Sequence, residues 1–135
     1  MDLLVNIDVP DIEAGLAFYT EGLGFVLGRR FGEGFVELTG ASSRVYLLAN
    51  PPGSVPAPGA APRAYARHWT PLHLDVVVDD LDAALARAEA AGAVREKEPR
   101  AAPYGRIVLM ADPFGNGFCL IEFNGQGYDA IAQDG

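Results

Sequence analysis

Reactive side chains are sparse in this chain: 135 residues hold one cysteine, Cys119, two histidines, His68 and His73, and one tryptophan, Trp69. Cys119 sits inside D-P-F-G-N-G-F-C-L-I-E-F (112–123), three positions before the carboxylate of Glu122. A thiol and an imidazole together suit a thiophilic ion. A lone thiol in an apolar run is also what a small, inert core residue looks like. His73 and Asp75 are two apart in an alternating stretch, so they lie side by side on one face of a strand. That is a weak geometry for a general base and its orienting carboxylate. No Gly-rich phosphate loop, serine elbow or C-x-x-C pair accompanies them.

The elements that position these residues form a repeat. Leu4-Val5-Asn6-Ile7-Asp8-Val9 and His73-Leu74-Asp75-Val76-Val77-Val78 both alternate as half-buried strands, and they are offset by 69 residues (73 − 4). Leu4, Asn6 and Asp8 share one face of the first strand. His73, Asp75 and Val77 share the matching face of the second. Asp11 and Asp80 follow as helix N-caps, Leu16 and Leu85 fall on the buried stripes, and Gly24 and Gly92 end the two helices. Three strand-like segments come next in each half: 25–30, 34–40 and 43–50, then 93–99, 105–111 and 117–124. The spacing therefore predicts an α+β chain of two βαβββ modules in a single domain. Module one covers 1–50, a Pro/Gly-rich linker 51–62, module two 63–125, and a tail 126–135. G-R-R (28–30) reads as a solvated strand edge, and F-G-E-G-F (31–35) as a hairpin turn only.

Composition narrows the function classes. The formal charge of −8 opposes nucleic acid and anionic membranes, both of which need Lys/Arg clusters. It suits a cationic small molecule, and equally it serves solubility. One cysteine cannot form an intramolecular disulfide, and no apolar run approaches the roughly 20 residues of a membrane span. Both point to a soluble protein of the cytoplasm.

The tandem modules, the opening H-L-D-V-V-V-D-D-L-D-A-A-L-A-R-A-E-A-A-G-A and the closing D-P-F-G-N-G-F-C-L-I-E-F resemble the vicinal oxygen chelate superfamily of glyoxalases, bleomycin-resistance proteins and dioxygenases. The resemblance implies a curved, barrel-like cup around a small-molecule cavity, and a homodimer. In metal-dependent relatives the ligands occupy positions that correspond here to Leu4, Tyr46, His73 and Cys119. Leucine has no donor atom, and a phenol that ionises near pH 10 is a poor ligand. Two groups remain where an open zinc site uses three. The reading is therefore a cup without metal or cofactor that sequesters an aromatic or apolar compound such as an antibiotic. Asn6, Asp8, Tyr46, Trp69, His73, Asp75 and Cys119 are its candidate contacts. An atypical glyoxalase-like lyase or dioxygenase is the alternative, and a structural member without a ligand is the third class.

Overall fold

A computed structural model describes residues 1–133, which leaves the last two residues of the expected tail outside the described region. The chain divides into two compact units that meet in sequence between Ala66 and Arg67.

In the first unit, strand β1 (Leu4–Val9) leads into helix α1 (Ile12–Ala17), whose final turns widen into a π-helical stretch, Phe18–Gly22. The Asp11 carboxylate caps α1 by accepting from the Ala14 N–H at 2.8 Å. The wide turn coincides with the Thr20 hydroxyl donating back to the Leu16 carbonyl at 2.7 Å. Strands β2 (Val26–Arg30), β3 (Phe35–Thr39) and β4 (Arg44–Ala49) complete a sheet in the order β1-β4-β3-β2, with β1 parallel to β4. Val9, Val36, Leu38, Val45 and Leu47 form the buried face with Ile12, Leu16 and Phe18. Alternation leaves Asn6, Tyr46, Phe35 and Glu37 on the face away from α1.

The second unit repeats the plan. It contains β5 (Leu74–Val77), α2 (Leu81–Ala90), β6 (Val94–Arg95), β7 (Arg100–Ala102), β8 (Gly105–Ala111) and β9 (Gly117–Phe123). Its sheet runs β5-β9-β8-β6, with β7 also on β8 and β5 parallel to β9. The single strand expected over 93–99 is instead two short ones. Pro99 has no N–H to give the ladder, so pairing stops after Glu96 and resumes at Arg100. Asp80 caps α2 through the Ala83 N–H at 3.0 Å, and the Glu122 carboxylate accepts the Leu81 N–H at 2.7 Å. The D-P-F-G-N-G turn is pinned by buried Asp112, which accepts the N–H groups of Phe114 and Asn116, each at 2.8 Å, and the Asn116 side-chain amide at 2.9 Å. Neither sheet closes on itself, so the fold is α+β with two open sheets.

Candidate functional site

The helix-free face of the first unit carries an arrangement that sequence reasoning missed. Glu37, only 5% exposed, is held by Arg29 through Nε at 3.0 Å and Nη2 at 2.6 Å, and accepts the Tyr46 hydroxyl at 3.2 Å. Gly28 permits this approach, because a Cβ there would stand 2.8 Å from the Glu37 carboxylate. The Arg29 guanidinium beside Glu37 holds its carboxyl down at about 2. The same guanidinium lies 5.0 Å over the Phe31 ring. Phe31, Phe35 and Tyr46 form a fan, with centroids 4.8 Å (Phe31–Phe35), 5.5 Å (Phe35–Tyr46) and 6.4 Å (Phe31–Tyr46) apart. F-G-E-G-F is therefore more than a turn, and Arg29 is tied to Glu37 although its outer edge faces solvent. The available signal was Glu37 itself, an acid flanked by Val36 and Leu38 in a strand that must be half buried.

Because Glu37 has a depressed carboxyl pKa, its pairing stabilises the fold above the ordinary carboxylate value of about 4.3, and the contribution disappears as pH falls towards 2. Glu37→Gln should therefore narrow the stability gap between pH 6 and pH 3, measured by urea denaturation at both values. An unchanged gap would show that Glu37 is not the group responsible.

The other candidates of this unit divide. Asp8 accepts from Arg63 Nε at 2.7 Å and from the Asn50 amide at 2.9 Å, and the Tyr65 hydroxyl donates to the Asn50 carbonyl at 2.6 Å. Asp8 thus anchors the Pro/Gly-rich strap onto its own unit. Asn6 is exposed beside Tyr46, opposite it in the β1–β4 register.

In the second unit, His73, Asp75 and Cys119 come together, with ligand-type atoms all within 4.8 Å of one another. His73 Nε2 lies 3.2 Å from the Asp75 carboxylate, so the side-by-side pair does touch. The Cys119 thiol is pushed up to about 11, first by burial and then by the Asp75 carboxylate, to which it donates. Tyr128, in the short 3-10 turn Gly127–Ala130, packs edge-on against Phe123 and Tyr104. Its hydroxyl lies in the field of Asp75. Trp69, 82% exposed, lines a cleft of about 170 Å³ with Arg67, Leu72, His73 and Gly117 among its neighbours. Glu122, occupied at the start of α2, lies on the opposite face of β9 from Cys119.

The model of the glyoxalase-like domain matches residues 4–121. The chain belongs to that family. The glyoxalase-like domain lies within the vicinal oxygen chelate superfamily, as the opening and closing motifs implied. It is 33% identical over 95 residues to the anthracycline biosynthesis protein DnrV of Streptomyces peucetius, which covers 70% of this chain and 33% of DnrV. The chain thus spans about a third of that relative's length. A solved antibiotic binding protein, TnmS3 from Streptomyces sp. CB03234, is 26% identical over 92% of this chain and 96% of its own, with a TM-score of 0.62. A glyoxalase-related enzyme from Fulvimarina pelagi shares the fold at a TM-score of 0.70 and 19% identity, over 90% of this chain and 87% of its own.

At two of the four positions that correspond to the superfamily's metal ligands, this glyoxalase-like domain offers no available donor. Leu4 has no donor atom, and the Tyr46 hydroxyl is donated to Glu37. Of the four corresponding positions, His73 and Cys119 remain. Asp75 stands beside them as a third ligand-type group, and the Cys119 thiol donates to its carboxylate.

Proposed function

We propose that the protein binds a planar aromatic compound of low molecular weight, such as an antibiotic, without metal or cofactor and without turning it over. The observation that carries this reading is the fan of Phe31, Phe35 and Tyr46, fixed from behind by Glu37. Phe31, 42% exposed, and half-buried Phe35 offer stacking area to a flat molecule at small cost in conformational entropy, with Tyr46 buried beside them. Antibiotic binding by TnmS3 and the part of DnrV in anthracycline biosynthesis support the same class of ligand. Asn6 borders the fan. Trp69, His73, Asp75 and Cys119 are candidate contacts of the second unit's own cleft, which Trp69 and His73 line. A glyoxalase-like lyase or dioxygenase is the competing reading, favoured by the closeness of His73, Asp75 and Cys119.

Calorimetry on chelator-treated protein with a panel of planar fused-ring compounds tests the proposal. Binding should persist without metal, and Phe31→Ala should weaken it about tenfold, the scale of a lost ring contact with its buried area. Binding that appears only after a divalent ion is restored would turn the case towards the enzyme. The reading also includes a cytoplasmic C2 homodimer, the commonest closed assembly. Light scattering should give twice the chain mass at micromolar concentration, and a monomer mass would count against it.

A further inference from the structure

We infer that Arg29 selects the ligand's chemistry: the aromatic fan takes a planar compound carrying an acidic oxygen, a carboxylate or phenolate, in preference to a cation. This rests on the proposal that the fan is a ligand site, and it reverses the preference suggested by the chain's overall charge.

Three observations carry it. Glu37 engages Arg29 from the side, through Nε and Nη2, and the Tyr46 hydroxyl lies against the same guanidinium, while no hydrogen bond from the Nη1 donors is seen among the described residues. The Arg29 side chain is 63% exposed, and its guanidinium overlies Phe31, so these donors stand at the margin of the ring array. Glu37 holds the guanidinium plane in place, so little freedom is lost when an oxygen docks on it.

The acceptor side points the same way. The Glu37 carboxylate already receives Arg29 Nε, Arg29 Nη2 and the Tyr46 hydroxyl, and is 5% exposed. An ammonium group arriving at the fan finds no free carboxylate in this cluster. Arg44 lies two residues before Tyr46 on the same face of β4, is exposed, and makes no ion pair among the described residues. Arg30 is neutralised by Glu13 at 2.9 Å. Exposed Glu33, at the turn between Phe31 and Phe35, opposes an anion, whereas Asp8, in the same row of the sheet as Phe35, is paired with Arg63 at 2.7 Å. Charges elsewhere on the acidic surface act through solvent, where screening limits their reach to about 8 Å at physiological salt.

Three matched probes test this on the wild-type protein: anthracene-2-carboxylate, the neutral anthracene-2-carboxamide and the cationic 2-(aminomethyl)anthracene, titrated by calorimetry at pH 7.5. The carboxylate should bind at least about tenfold tighter than the ammonium, the scale of one charge-assisted hydrogen bond. In Arg29→Gln/Glu37→Gln, which replaces the ion pair by two amides and strands no buried charge, that preference should shrink to within about twofold. Equal affinity for all three probes, or tightest binding of the ammonium, overturns the role of Arg29 and leaves aromatic binding standing. Binding of none of them overturns both. The wild-type ranking decides the matter even if the double variant does not fold.

Discussion

Gly105→Ala should destabilise the protein by about 3 kcal/mol or more, the sum of a strained backbone and an overpacked contact. Gly105 opens β8 at a φ of 143°, a region that residues with a Cβ rarely adopt. A Cβ there would stand 1.9 Å from the Glu122 carbonyl oxygen and 3.0 Å from the Asn124 N–H nitrogen. Both obstacles are backbone, so no side-chain rotation relieves them. The β8–β9 ladder must shift instead, and it carries Cys119 opposite Leu109. For a domain of this size the loss lowers Tm by about 10 °C or more. Gly125→Ala is the matched control, since a Cβ at Gly125 meets nothing within 4 Å. Thermal and urea denaturation of both variants check the claim, and equal midpoints for the two would sink it.

The Cys119 thiol should react with iodoacetamide more slowly than a free cysteine by roughly two orders of magnitude at pH 8. A thiol pushed up to about 11 is about one part in a thousand ionised at that pH, whereas an ordinary one near 8.5 is about a quarter ionised. Burial alone could also slow the reagent, so the pH dependence is the discriminating measurement. The logarithm of the rate should climb with pH through 9.5 without levelling, and a plateau near 8.5 would show an ordinary thiol behind a steric barrier. Asp75→Asn removes the carboxylate that accepts from the thiol and should accelerate labelling several-fold, with burial still acting. The linked effect on stability has a definite sign. A raised pKa favours the protonated thiol in the fold, so its contribution is full below about 8.5 and is lost as pH rises through about 11.

Strand and helix positions were legible wherever one local rule decided them. The alternation of Leu4–Val9 gave the first strand at its observed limits, and Asp11 and Asp80 marked both helix starts. The opposite facing of Cys119 and Glu122 followed from a period of two. Arg29 and Glu37 were illegible for a particular reason. The β2–β3 register passes from Leu27↔Leu38 to Arg30↔Val36, an irregularity of one residue that re-aims side chains between those points. No pattern in G-R-R announces such a bulge. Asp8 was ambiguous because its partner, Arg63, is 55 residues away, beyond the reach of any local rule.

Each sheet joins its first strand to its last, β1 to β4 and β5 to β9, and this sets a timetable for chain synthesis. On the ribosome, β5 has no sheet neighbour until residues 117–123 have emerged, because β9 is its sole partner in the strand order. The first unit meets its own closing strand by residue 49, so it can complete its sheet while the second is still being made. Nascent Leu74–Val77 therefore waits as an unpaired apolar edge through more than forty further residues. Over that interval Asp75, in the middle of the strand, is the charge that discourages it from pairing with a stranger.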